Sequence, residues 1–319
     1  MKVGISGYGL AGKYFHAPFL VAAGFEVTGI VTRNPERIVS AHHDFPAATI
    51  FNSVDELVAS GIDLLVVASS NVAHVDDTLS GLRAGIPVVV DKPMGITYED
   101  VELLCNESKS RDVPLTTYFN RKFDSDALTI KRVLKEGLIG SVFRLDSRFE
   151  RFRPEANPTS WRERLSAQQG GGNLLDLQPH LVSLALDWFG PAELVHASVR
   201  SIRGLSNDDV VLVLKHESGV DSYLSASAIV GAPGPRIRLM GDKGALVIKE
   251  LDKQEPLVRS GINPGPGGWN IDTTTRVELH RGEEVISIPS ESGDYTNFYK
   301  QVKLSLEGLA QMPVTLEEA

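Results

Sequence analysis

One turn constrains this chain more than any other feature. Gly7-Tyr8-Gly9-Leu10-Ala11-Gly12 follows directly on the β-rich run KVGIS and opens a helical pattern. The spacing G-x-G-x-x-G belongs to a strand–turn–helix unit. Its first glycine permits a tight turn, its second lets backbone approach a pyrophosphate, and its third allows the helix to pack closely on the strand. The helix N-terminus then turns its free N–H groups toward the phosphates. Pro18 lacks a backbone donor, so the helix is expected to kink or restart there. The runs FEVTGIV, IDLLVVAS, PVVVD and VPLTTYF follow, separated by helical patterns. This alternation calls for parallel strands and crossover helices in a doubly wound α/β sheet, a Rossmann arrangement.

Beyond residue 141 the texture changes. VFRLDSRFE, ELVHASVRS, DDVVLVLKH, DSYLSASAIV, RIRLMG, GALVIKE, RVELHR and EVISIP come in near-direct succession, several of them with Gly, Asp or Asn between. Strands without intervening helices suggest a large open antiparallel sheet. One long helical pattern, GGNLLDLQPHLVSLALDWFG, interrupts them, and SGINPGPGGWN is a Gly/Pro-rich loop. A chain of 319 residues suits two domains, placed at residues 1–120 and 121–319.

Charge and cysteine usage narrow the partners. A net charge of −9 argues against a phosphate-backbone binder, so no nucleic acid is expected and a small ligand is the default. The single cysteine, Cys105, lies in the helical pattern YEDVELLCNESKSR and reads as a buried structural thiol. The eight histidines have no metal-ligand spacing, so no metal is expected. No secretory leader and no bilayer-length apolar run is visible, which implies a protein off the membrane and in the cytoplasm.

The strand ends carry the candidate chemistry. In an open α/β sheet, ligands bind beyond the carboxyl ends of the strands. The second strand ends in Thr32 and Arg33, without the carboxylate that would hold a ribose 2′-hydroxyl; an arginine there can pair with a 2′-phosphate. NADP(H) is therefore favoured over NAD(H). Ser69, Ser70 and Asn71 end a further strand, and His74 and His16 could approach the same place or serve in helix capping or core packing instead. VVVD ends in Asp91 and Lys92, and a lysine there can donate to a substrate oxygen during hydride transfer. In the second half, Asp176 and His180 stand four apart. If helical, they share one face, where a carboxylate can orient an imidazole for acid–base work. Arg121, Lys122, Arg151 and Arg153 form a basic set, either facing phosphate or simply solvated.

Taken together, GYGLAG, the strand-end DKP, YFNRKFD and WRERLSAQQGGGNLLDLQPH resemble the glucose–fructose oxidoreductase and inositol dehydrogenase (Gfo/Idh/MocA) family across essentially the whole chain. The opening GxGxxGxxFHAPF followed by TRN is similar to the branch of NADP-dependent scyllo-inositol dehydrogenase-like oxidoreductases. The resemblance implies a sugar or cyclitol dehydrogenase that assembles as a homodimer or homotetramer through its C-terminal sheet. It assigns Lys92, Asp176 and His180 as catalytic, and sets Trp161 and Arg162 near the nicotinamide. A dihydrodiol or small-ketone reductase, or a catalytically silent nucleotide-sensing regulator of the same fold, are the alternatives. Two departures stand out: Asp91 occupies a usual glutamate position, and Ser183 stands where polyol dehydrogenases of the family carry a second aspartate.

Overall fold

Six short parallel strands form the first sheet: β1 (Lys2–Ser6), β2 (Glu26–Val31), β3 (Thr49–Phe51), β4 (Leu64–Val67), β5 (Val88–Val90) and β6 (Leu115–Thr117). The computed structural model describes residues Met1–Ala319. The strand order is β3-β2-β1-β4-β5-β6, so the winding reverses between β1 and β4. β4 and β5 are apolar throughout and fully buried, as expected for parallel strands covered by helices on both faces. β3 escapes a reading by periodicity because it is only three residues long.

The helices begin where side chains can cap them. Asn34 accepts the Arg37 N–H at the start of Pro35–Asp44, and Thr97 with Asp100 forms a capping box on Tyr98–Arg111. Cys105, on the latter, is half-buried rather than sealed in the core, and its thiol lies 3.9 Å from the Leu316 carbonyl. After the glycine turn, Ala11–His16 is a wide π turn, closed by an Ala17 N–H bond to the Gly12 carbonyl. Ala17–Ala22 then continues as an α-helix with Pro18 in its first turn. Pro18 has no N–H for the carbonyl of Tyr14, so the ladder resets there.

The second sheet has eight strands: β7 (Val142–Glu150), β8 (Ala192–Arg200), β9 (Asp209–His216), β10 (Asp221–Ser227), β11 (Ile237–Gly241), β12 (Gly244–Ile248), β13 (Val277–Arg281) and β14 (Glu284–Ile288). Their order is β14-β13-β12-β11-β7-β10-β9-β8. It is mixed rather than wholly antiparallel, because β10 returns parallel to β7. The long connection between those two strands, carrying helices, β8 and β9, gives the chain room for that crossover. Helices Ser125–Glu136 and Gln178–Phe189 cover one face. Ile130, Val133, Leu181 and Ala185 share a core there with Leu145, Phe149, Leu224 and Leu239. The opposite face is polar: Asp146 is fully buried beneath Arg144, Arg148 and Arg238, at 2.8, 3.3 and 3.6 Å.

The chain does not divide into consecutive halves. Met1–Asn120 forms one compact unit together with Gln254–Ile271 and Asp294–Ala319, whereas Arg121–Lys253 and Asp272–Gly293 form the other. The expected 121–319 domain thus gives up two segments, for a physical reason. Helix Thr296–Leu306 buries Phe298, Tyr299 and Val302, and Tyr118 meets Phe298 edge-on at 4.8 Å and Tyr299 in a stack at 5.5 Å. Trp269 packs on Phe19, and the buried Gln254 carbonyl accepts from Trp269 Nε1 and the Tyr295 N–H. No helix is long and apolar enough to cross a membrane.

If the returning helix completes the first core, Phe298→Ala should cost about 3–5 kcal/mol. Urea unfolding followed by circular dichroism measures this, and a cost below about 1 kcal/mol would contradict the packing argument.

Candidate functional site

At the reversal point of the first sheet, one carboxylate ties two strand ends together. Asp77, on helix His74–Arg83, accepts hydrogen bonds from Ser6 and Ser69, both at 2.7 Å. The glycine turn is built against this clip. Gly7 has φ +91°, and a Cβ there would lie 2.6 Å from the Ala68 carbonyl oxygen. A Cβ on Gly12 would stand 2.0 Å from the Gly7 oxygen. Gly9 differs: its nearest obstacle is the flexible Arg37 guanidinium at 3.4 Å, with no backbone in the way. A diphosphate can therefore reach the Gly9 backbone, so the turn fits a dinucleotide. Leu10 and Ala11 are half-buried in the same turn. Tyr8 is buried and donates to Asp44 at 2.8 Å; burial and then that carboxylate keep its hydroxyl protonated.

Thr32 is buried at the end of β2, while Arg33 is exposed and donates to the Asn52 carbonyl. Glu26 lies at the opposite end of that strand. Arg37 was not singled out from the sequence. Asn34 and Pro35 fix the start of its helix, and this brings its guanidinium over Gly9. The segment TRNPER held the signal, since a cap followed by Pro sets where the next turn faces. After β4, Ser70 is exposed, Asn71 is buried and begins a short 3₁₀ turn, and His74 is buried at the head of its helix.

Lys92 is half-buried just past β5 and is braced on both sides. Asp91 Oδ1 accepts the Lys92 backbone N–H at 2.8 Å. His74 Nδ1–H donates to the Pro93 carbonyl at 2.8 Å, and burial keeps this ring toward its neutral form. Asp91 Oδ2 lies 3.9 Å from His16 Nε2, beyond hydrogen-bonding distance. Burial opposes ionisation of Asp91, but His16, Lys92 and His74 outweigh it and bring its pKa to about 2. The carboxylate is therefore charged at neutral pH. Of the two roles open to His16, cofactor contact or core packing, the second holds: it is fully buried, behind Asp91.

In the second unit, the Asp176–His180 stretch is not one continuous helix. Asn173–Asp176 ends at Leu177, and Gln178–Phe189 begins with Pro179 in its first turn. The four-residue spacing thus straddles a break, as proline in the ladder dictates. Asp176 pairs with Arg162 at 3.2 Å, and the Arg162 guanidinium lies 4.5 Å over the Trp161 ring. These two sequence candidates therefore join Asp176 in one cluster. His180 is buried, with its ring edge toward Phe149 at 6.1 Å.

The fold pins this stretch from both sides. A Cβ on Gly172, at φ +87°, would stand 2.2 Å from the Asn207 side chain. Asn207 Oδ1 accepts the Leu174 N–H at 2.7 Å. Gln178 donates to the Val210 and Leu224 carbonyls at 3.1 and 3.2 Å, fixing the helix that carries His180 onto the sheet. The basic set is not a solvated surface throughout. Arg121 and Lys122 are buried against Asp124 and Asp187, at 3.2 and 3.0 Å.

Known proteins share this architecture. Residues 1–119 match the model of the oxidoreductase family with an NAD-binding Rossmann fold, and residues 127–247 match the GFO/IDH/MocA C-terminal domain. The scyllo-inositol 2-dehydrogenase (NADP(+)) of Bacillus subtilis is 32% identical, over all of this chain and 89% of that protein. An oxidoreductase structure from Klebsiella pneumoniae superposes with a TM-score of 0.88 at 30% identity, covering 100% of this chain and 89% of that one. One from Yersinia pestis gives 0.88 at 32%, covering 100% and 90%. With a glycine turn that fits a dinucleotide and both family models matched in chain order, the chain belongs to the Gfo/Idh/MocA family and is an NAD(P)-dependent dehydrogenase/reductase.

Proposed function

We propose that the chain transfers hydride between NADP(H) and a secondary alcohol, or the matching carbonyl carbon, of a sugar or cyclitol. The observation that carries this reading is Lys92, set past the end of β5 and braced through Asp91 and Pro93. Bound nicotinamide would supply the hydride donor or acceptor. The ammonium of Lys92 would hold the reacting oxygen and stabilise alkoxide character. His180 would take the hydroxyl proton in oxidation and return it in reduction, and Asp176, paired with Arg162, would orient or polarise that exchange. Trp161 and Arg162 would lie against the nicotinamide. The substrate class follows the Bacillus subtilis relative, whose name specifies scyllo-inositol and NADP(+).

A small-ketone or dihydrodiol reductase is the second reading, favoured by Ser183. Its hydroxyl is turned back onto the His180 carbonyl at 3.2 Å, so this position provides no carboxylate for further substrate hydroxyls. The preference for NADP(H) rests on Arg33 and Arg37, two exposed cations near the glycine turn, and on the absence of a carboxylate ending β2. A cytoplasmic homodimer or homotetramer is the expected assembly. Its contact would be the polar face of the eight-stranded sheet, where the exposed Tyr223 ring lies under the Arg144 guanidinium beside Asp146.

A panel of sugars, cyclitols and small ketones, screened by NADPH absorbance, tests the substrate class. Turnover of small ketones alone would favour the second reading. With an accepted substrate, Lys92→Ala and His180→Ala should each lower kcat by roughly 10²–10⁴; full turnover in either removes that residue from the mechanism. Arg33→Ala with Arg37→Ala should weaken NADPH binding about tenfold to hundredfold and leave NADH binding unchanged. Fluorescence titration reads both constants, and tighter NADH binding by the unaltered protein would reverse the cofactor assignment.

A further inference from the structure

Behind Lys92 runs a buried polar chain that hydride transfer does not by itself require. His16 and Tyr299 are fully buried and lie 283 residues apart in the chain. Nδ1 of His16 is 2.5 Å from the Tyr299 hydroxyl, and Nε2 is 3.9 Å from Asp91 Oδ2. The other Asp91 oxygen accepts the Lys92 N–H. The walls are aromatic. Tyr118 lies over His16 at 4.3 Å between ring centres, while Phe298 and Phe25 close on Tyr299 at 5.3 and 6.2 Å.

Burying an imidazole and a phenol among such rings costs free energy unless their polar atoms find partners. A leucine and a phenylalanine would fill the same space without that cost. The polarity therefore calls for a use, and the charged group that His16 faces is Asp91. Burial, then Tyr118 and Asp91, hold the Tyr299 hydroxyl protonated, so it can donate to Nδ1. With the Tyr299 hydroxyl donating to Nδ1, the ring carries a hydrogen on Nε2, which faces the Asp91 carboxylate across 3.9 Å and has no other hydrogen-bond partner. The wide π turn and the reset at Pro18 seat His16 here. The Phe15 carbonyl beside it takes the Tyr118 hydroxyl at 2.6 Å.

We propose that His16 and Tyr299 are positioning residues, which hold the Asp91 carboxylate from behind and thereby set the Lys92 ammonium for the substrate oxygen. The inference rests on Lys92 having the role proposed above. Tyr299→Phe removes one oxygen and keeps the ring stack, His16→Leu removes the imidazole polarity, and His16→Gln returns an N–H of similar reach. With an accepted substrate, Tyr299→Phe and His16→Leu should lower kcat about tenfold to hundredfold through misplacement of the lysine. The KM for NADP(H) and the melting temperature should hold, and His16→Gln should recover most of the rate. The double variant should be no slower than His16→Leu, because both act through one carboxylate. A kcat within twofold of wild type in both single variants, or losses that multiply in the double, would overturn the proposal. So would a loss matched by a higher cofactor KM.

A second measurement needs no turnover. Lysines dimethylated with ¹³C-formaldehyde give separate NMR signals, and Lys92→Arg identifies the one from Lys92. That signal should move by more than its linewidth in Tyr299→Phe and His16→Leu and return in His16→Gln; a signal that stays in place refutes the positioning role. If the wild-type protein turns over no member of the substrate panel, the functional reading fails while the lysine signal still decides this one.

Discussion

The aromatic packing of Tyr118, Phe298 and Tyr299 is the constraint on which the first unit depends. Those rings close the core behind the glycine turn, seal His16, and place a polar group behind the strand end that carries Lys92. Edge-on and stacked ring pairs add specific geometry to the burial of large apolar area. The six-stranded sheet by itself fixes where strand ends lie. The angle at which a strand-end side chain leaves depends on what stands behind it, and here that is material from the far end of the chain.

Much of the fold was legible because it rests on local periodicity. The six-stranded sheet, apart from β3, follows from apolar runs separated by helical patterns, and all eight strands of the second sheet were visible as β-rich runs. Three features lay beyond such a reading. β3 is too short to have a period. The parallel return of β10 beside β7 is a matter of pairing, which an apolar run does not encode. The sharing of Gln254–Ile271 and Asp294–Ala319 with the first unit depends on tertiary packing between residues far apart in sequence.

The candidate site divides in the same way. The glycine spacing carries its own physical reason, and the added-Cβ distances at Gly7 and Gly12 supply the detail. Lysine after three buried valines is conspicuous because nothing in strand packing asks for it. Asp176 and His180 attracted attention through a spacing whose helix is in fact interrupted; Pro179 stood in view as the cause. Arg37, His16 and Tyr299 could not be ranked from sequence, because their surroundings come from other elements. The shorter carboxylate at position 91 raised the question of what supports the lysine. His16, on the far side of that carboxylate, is where the structure turns that question.

The interleaved domains also order events at the ribosome. The first 120 residues emerge bearing the whole glycine turn, yet Phe298, Tyr299 and Val314 of the same core are translated long afterwards. Until they arrive, Tyr118 and Phe19 lack the rings that cover them, and the nascent sheet exposes apolar surface of the kind that chaperones shield. A chain stopped before Thr296 would therefore carry the signature motif without a finished core beneath it.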